Sequence, residues 1–216
     1  MTEQEGVIKY ELQHQRQKVS LNLPLAEFNA WRQVMMRLEL IGQTPDRYQG
    51  YGFGNISMRS ADRSQRFIIS GTQTGHLPCL TPENLALIEK ALPEQNRLFS
   101  TGLCKPSSEA LTHAMLYQQN NRIQAVIHVH SPDIWRHTQT LQLPHTRQDV
   151  PYGTPAMAKA VKQLFLQHQL SSHGLISMLG HEDGVIAFAE SLPQAADCLI
   201  ATLAKAFAIE FSEQSH

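Results

Sequence analysis

Short apolar stretches with strand character alternate with amphipathic stretches of helical period along most of this 216-residue chain. Neither kind is gathered into one half of the sequence, and no internal repeat marks a boundary between domains. Interleaved strands and helices pack as a sheet that is covered by helices. The order of the segments therefore predicts one α/β domain of three α/β/α layers, at a length that suits a single hydrophobic core.

The predicted strands are apolar runs bounded by turn residues. They lie in the stretches GNISMRS, QRFIISG, IQAVIHVHS and HGLISMLGHEDGVIAFAES. The last stretch contains two strands joined at EDG, which is typical of a hairpin turn. A hairpin inside an interleaved chain favours a mixed, largely antiparallel sheet over a purely parallel one.

Helical spacing of apolar residues predicts five helices. They lie in LPLAEFNAWRQVMMRLELIGQ, LTPENLALIEKAL, KPSSEALTHAMLYQQN, TPAMAKAVKQLFLQHQL and LPQAADCLIATLAKAFAIEF. In the second of these, Thr81 is a candidate N-cap and Pro82 fits the first helical position. Residues 1–22 are polar and read as an N-terminal extension with a possible edge strand, which leaves residues 23–216 as the domain.

The charge balance excludes several classes of partner. The formal net charge is −1 and the isoelectric point is near 6.8, which argues against a broad electrostatic grip on nucleic acid or an anionic membrane. No long uncharged apolar run and no basic-then-apolar leader is seen, so neither a transmembrane span nor a signal peptide is expected. A cytoplasmic protein is the expectation.

The stretch VIHVH carries two imidazoles in an otherwise apolar strand. Side chains two residues apart in a strand share a face, so His128 and His130 point the same way as Val126. Ile127 and Val129 point to the other face. Two imidazoles side by side at a strand end can bind one metal ion, and a pair of structural histidines is the alternative.

A catalytic zinc ion usually takes three protein ligands and keeps one position open. His181, in MLGHEDG, lies at a strand end beside a turn, from which it can reach a neighbouring strand. His173 is a rival, but its surroundings resemble a loop that enters a strand. His181 is therefore the preferred third ligand.

The stretch KPSSE is a candidate anion site. Pro106 disfavours helix in the residue before it, so a helix is expected to start there, with Ser107, Ser108 and Glu109 in its first turn. The free amides of a helix start bind anions readily. Glu109 would lie beside such an anion or a metal, and ordinary helix capping is the alternative. His113, four residues on, could support Glu109 or simply pack.

Taken in order, GNISMR, FIISGTQTG, KPSSE, AVIHVHS, YGTPAMAKAV and LGHEDGVIAFAESLPQAA resemble the class II aldolase/adducin family over residues 25–205. That family includes fuculose-phosphate aldolase and ribulose-phosphate 4-epimerase. The resemblance implies a single α/β/α domain, a divalent metal that is commonly zinc, and a cyclic homotetramer with sites between subunits. It implies a lyase acting on a small, phosphorylated, sugar-like molecule through a metal-stabilised enediolate, by retro-aldol cleavage or a related dehydration.

The family's site residues are carried over by position. The metal ligands match His128, His130 and His181, and the acid/base residue matches Glu109. The positions that hold the substrate phosphate in the family match Gly54, Asn55, Ser70, Gly71, Ser107 and Ser108. A sugar-phosphate 4-epimerase and a non-catalytic, adducin-like scaffold remain as alternative functions.

The chain departs from the family pattern at three places. GHEDG stands where the family usually has NHG, which inserts two residues after the third histidine. The segment between His130 and YGT is shorter than in sugar-phosphate aldolases. No tyrosine follows Tyr152, so the catalytic tyrosine that these enzymes take from an adjacent subunit has no counterpart, and Tyr152 is not assigned that role.

Overall fold

A nine-stranded mixed sheet forms the centre of the computed structural model, which describes residues 7–60 and 65–214. The strands are β1 (Glu11–Arg16), β2 (Asn55–Arg59), β3 (Phe67–Ser70), β4 (Leu85–Leu92), β5 (Arg97–Gly102), β6 (Ala125–His130), β7 (His145–Thr146), β8 (Gly174–Met178) and β9 (Gly184–Ala189). Their order across the sheet is β1-β5-β4-β3-β2-β6-β9-β8-β7. The outermost pairs, β1 with β5 and β7 with β8, are parallel, and all other neighbours are antiparallel. The predicted mixed, largely antiparallel sheet is confirmed.

Helices cover both faces of this sheet. They are α1 (Leu25–Arg37), α2 (Ala110–Gln119), α3 (Pro132–Arg136), α4 (Pro155–Gln167) and α5 (Leu192–Gln214). One core cluster joins α2 and α4 to the sheet face that includes Val126. The other joins α1, α3 and α5 to the face that includes Ile127 and Val129. The three-layer α/β/α architecture is therefore confirmed, and the alternation predicted for β6 is observed.

By length and composition, α5 is able to cross a membrane, with 23 residues and a mean hydropathy of 1.3. Its buried residues pack on the same face of the sheet as α1 and α3. They are Leu192, Ala195, Ala196, Leu199, Thr202, Leu203 and Ala206. Packing of one face in the domain core accounts for the apolar composition of this helix.

The helix predicted in LTPENLALIEKAL is wrong. A single 3₁₀ turn at Pro82–Asn84 is followed at once by β4. The hydrogen bond of a helix start is present, because the Asn84 side chain accepts from the Thr81 amide at 2.9 Å. The helical conformation nevertheless extends for one 3₁₀ turn only. The residues from Leu85 to Ile88 are all buried between β3 and β5, and such a continuous apolar run does not distinguish a strand from a helix.

The N-terminal segment supplies the edge strand that its alternation indicated. β1 pairs in parallel with β5, whose strand character the sequence analysis had missed. Tyr10, just before β1, is only 5% exposed and packs in the same core cluster as α2 and α4. Residues of the N-terminal extension thus take part in the core of the domain.

A buried polar network ties α2 to the sheet. Ser57 Oγ on β2 lies 2.7 Å from His113 Nδ1 and 2.8 Å from the Tyr117 hydroxyl, and all three residues are at most 1% exposed. Burial lowers the pKa of His113 to about 3, so its ring is neutral at pH 7. His113 therefore bonds to Ser57 through its side chain and does not support Glu109, which was one of the two predicted roles.

Ser57→Ala should destabilise the fold by about 1–3 kcal/mol, because it leaves two buried polar groups without their shared partner. Denaturant unfolding of the variant and the wild type measures the difference. Ser20→Ala, at an exposed position, is the control and should change little. Equal unfolding free energies for Ser57→Ala and the wild type would show that the network does not stabilise α2 on the sheet.

Candidate metal centre

Three buried imidazoles meet at one end of the sheet. His128 and His130 come from β6, and His181 comes from the turn between β8 and β9. One ring nitrogen from each lies within 4.8 Å of the others, and each residue is at most 2% exposed. His173, the rival in the sequence, is exposed and lies outside this cluster. The structure thus brings together the three histidines that the sequence selected.

Pairing of β6 with β9 explains the convergence. In that ladder His130 lies opposite Gly184, and the Gly184 amide donates to the His181 carbonyl at 2.9 Å to close the turn. A Cβ at Gly184 would lie only 3.0 Å from His181 Cγ. Glycine at this position is therefore what lets the His181 ring lie beside His130.

The donor atoms suit a divalent ion. His128 Nδ1 lies 3.2 Å from the Val185 carbonyl, which can only accept, so Nδ1 carries the proton. His128 Nε2 is then a buried lone-pair donor, and it has no hydrogen-bond partner. Burial holds the pKa of both His128 and His130 well below the usual range, so the rings are neutral, which is the form that binds metals.

A carboxylate lies beside the imidazoles. Glu109 is 1% exposed, and its Oε1 is 3.9 Å from His181 Nδ1. Its Oε2 accepts a hydrogen bond from the Thr112 hydroxyl at 2.7 Å, one turn along α2. The carboxylate is therefore held in place within reach of the candidate ligands.

The predicted start of this helix is wrong by a few residues. α2 begins at Ala110, so Ser107, Ser108 and Glu109 form the turn before it and not its first turn. Two contacts hold that segment extended: a β-bridge from Pro106 to Gly71 and a hydrogen bond from the Ser107 amide to the Ser70 carbonyl at 3.2 Å. Ser107 Oγ then accepts from the Glu109 amide at 3.3 Å, a local bond within the turn before α2.

Contacts between three segments bring the six predicted phosphate-binding positions together, and one of these segments pairs with β6. Asn55 is the cross-strand partner of His128, and its buried Oδ1 has no hydrogen-bond partner. Ser70 Oγ accepts from the Ile56 amide at 3.2 Å, and the bridge between Gly71 and the KPSSE segment brings the two serines alongside. Gly54, Asn55, Ser70, Gly71, Ser107 and Ser108 thus belong to three adjoining segments.

Sequence reasoning missed an aromatic group on the other side of His130. The Tyr48 ring packs edge-to-face against His130 at 4.6 Å, and its hydroxyl donates to Asp183 Oδ2 at 2.7 Å. Arg47 donates to the same hydroxyl at 3.1 Å. Asp183 belongs to the two residues inserted after His181, so the insertion supplies the partner of Tyr48. No motif in the sequence indicated this contact.

Tyr152, which the sequence analysis did not assign, also lies at the centre. Its ring stacks on His181 with centroids 4.3 Å apart and planes at 21°. A cavity of about 450 Å³ lies at the end of β6. It is lined by Arg37, Leu38, Glu39, Leu40, Arg47, His130, Ser131, Pro132, Asp133, Leu203 and Phe207.

Comparison with known proteins identifies the family of this chain. Residues 46–210 match the model of the Class II Aldolase and Adducin N-terminal domain. The fold is similar to that of L-fuculose-1-phosphate aldolase from Thermus thermophilus (18% identity, 88% of this chain and 94% of that chain, TM-score 0.63). It is also similar to a sugar-phosphate aldolase from Thermotoga maritima (15%, 88% and 94%, TM-score 0.65) and to the N-terminal class II aldolase domain of a conserved protein from Thermoplasma acidophilum (16%, 91% and 98%, TM-score 0.56). Because the family model matches most of the chain, the protein belongs to the class II aldolase and adducin family.

Proposed function

We propose that this protein is a metal-dependent lyase that acts on a small, phosphorylated, sugar-like substrate, by retro-aldol cleavage or a related dehydration. The observation that carries the proposal is the buried cluster of three imidazoles with a carboxylate 3.9 Å from one of them. Titratable groups with strongly perturbed pKa values, such as His128 and His130, cluster at functional sites. Membership of the family supports the same class of chemistry.

His128, His130 and His181 would hold the ion, most simply Zn²⁺, since zinc is bound by imidazole nitrogen in three-ligand catalytic sites. The buried Nε2 of His128 is the atom that such an ion would satisfy. When bound, a divalent ion supplies a Lewis acid that stabilises negative charge on substrate oxygens. Imidazole ligands carry no negative charge, so they do not cancel the charge of the ion, which favours an anionic substrate.

Glu109 would hold or move the proton at the reacting carbon or oxygen of the substrate. Its carboxylate is buried, positioned by Thr112 and directed toward the imidazoles. A carboxylate fixed within reach of a substrate proton is the usual arrangement for general acid–base catalysis.

The serine segment would anchor the phosphate. Ser107 and Ser108 lie just before the start of α2, where the helix dipole favours an anion and the two hydroxyls would donate to it. Asn55 Oδ1, buried without a partner beside His128, could accept from a substrate hydroxyl. Binding the phosphate away from the metal would orient the carbons to be cleaved. The 4-epimerase alternative would use the same residues for cleavage and re-formation of one bond.

A homotetramer is proposed from the family resemblance, with sites completed between subunits. Phe207 and Phe211 on α5 are 39% and 66% exposed, and aromatic side chains of this kind are common in subunit interfaces. A cytoplasmic location is proposed because the three cysteines are free thiols, which is typical of reducing compartments. Neither nucleic acid nor a membrane is proposed as a partner, given the net charge of −1.

Metal analysis of protein purified without added metal should find about one divalent ion per chain, because the three imidazoles form one three-ligand site. His128→Ala and His130→Ala should each lose most of the ion. His173→Ala is the matched control, at the exposed histidine that competed with His181 in the sequence, and should retain it. Wild-type protein that holds no stoichiometric metal even after Zn²⁺ is offered would contradict the proposal.

Glu109→Gln should lower turnover by about 100-fold or more on whichever sugar phosphate the wild type cleaves, because it removes the proton-transferring group. A screen of sugar phosphates for carbonyl products identifies the substrate and measures the loss. Glu182→Gln, an exposed carboxylate in the turn that holds His181, is the control. Equal rates for wild type and Glu109→Gln, with metal content unchanged, would exclude the acid/base role.

A further inference from the structure

The candidate metal centre is closed in this conformation. His128, His130, His181 and Glu109 are each at most 2% exposed. A sugar phosphate could not contact the three imidazole nitrogens unless a covering group moved. The side chains packed against the imidazoles therefore decide how the centre is reached.

Tyr152 covers one side of the centre. Its ring is stacked on His181 and is itself 0% exposed. The ring lies in the irregular segment between β7 and α4, and Gly153 follows it in the left-handed region with φ of 66°. The ring also belongs to the core cluster that joins α2 and α4 to the sheet, so it must leave those contacts before His181 becomes accessible from this side.

Lys9 lies over the same tyrosine. Its Nζ is 3.5 Å from the centroid of the Tyr152 ring, and because His181 occupies one face of that ring, the ammonium occupies the other. The attraction between an ammonium and an aromatic face is real but modest. Lys9 is half-buried, so it can return to water when the ring moves.

Tyr10, the residue after Lys9, connects the N-terminal segment to the KPSSE loop. The Tyr10 hydroxyl donates to the Ser107 carbonyl at 2.8 Å, and burial raises the pKa of Tyr10, with the Glu109 charge as a second cause. Lys9 and Tyr10 lie outside residues 46–210, the part of the chain that matches the family. The N-terminal segment thus contributes side chains to the wall of the centre from outside the matched range.

We propose that Lys9 and Tyr152 form a cover over His181, in which the ammonium holds the ring closed, and that the cover is displaced when substrate enters. Displacement of the cover by substrate rests on the proposed function. Closure over His181 does not, because it concerns only access to that histidine. Substrate could instead reach the imidazoles through the cavity beside β6, on the Tyr48 side of His130. The experiment distinguishes these two routes.

The test measures access to single histidines in the full-length, metal-free protein. Diethyl pyrocarbonate acylates neutral, accessible imidazoles, and mass spectrometry resolved to single residues gives a rate for His181 and for the pair His128 and His130. Lys9→Met should raise the rate at His181 by about 3- to 30-fold, which corresponds to loss of one cation–π contact. Lys18→Met, at an exposed lysine of the same N-terminal segment, is the matched control and should leave the rate unchanged.

A second measurement uses metal-loaded protein. Because the cover limits the release of bound Zn²⁺, Lys9→Met should also speed the transfer of that ion to a coloured chelator, and Lys18→Met should not. Circular dichroism establishes that each variant is folded.

An unchanged rate at His181 in folded Lys9→Met would overturn the proposal. So would faster modification of His128 and His130 alone, which would place the entrance on the Tyr48 side. A chain that binds no metal would end the proposed function, but the metal-free arm would still decide whether the cover exists.

Discussion

Pairing of β6 with β9 is the contact on which the candidate site depends. It sets His130 opposite Gly184, and the short turn before β9 then carries His181 back over the end of β6. A register shift of one residue would turn His128 and His130 to the opposite face of the sheet, into the core layer of α1, α3 and α5. The position of all three imidazoles thus follows from one ladder and one glycine.

Burial gives those imidazoles their chemical character. Polar groups without partners are costly in a protein interior, and a charged imidazole there would be more costly still. The lowered pKa of His128 and His130 keeps them neutral, and the Val185 carbonyl directs the free lone pair of His128 inward. Binding of a ligand to these nitrogens would offset the free-energy cost of burying them without partners. A divalent ion is the ligand that imidazole nitrogens at these distances fit.

Local patterns predicted much of this arrangement. Strand alternation predicted the shared face of His128 and His130, and the resemblance to the family predicted that His181 and Glu109 lie near them. The helix predicted over β4 failed because its apolar run is buried on both sides of the sheet, which periodicity cannot distinguish from a buried helix. Contacts of high sequence separation, such as Tyr48 with Asp183 and Lys9 with Tyr152, carried no local signal.

Three histidines of one chain are proposed to bind one metal ion. X-ray absorption spectroscopy at the zinc edge of the reconstituted protein identifies the ligands of that ion. Three imidazole nitrogens at about 2.0–2.1 Å are expected, with the outer-shell scattering of histidine rings and no sulfur at about 2.3 Å. A shell of oxygen alone, or a sulfur ligand from a cysteine, would contradict the assignment of His128, His130 and His181.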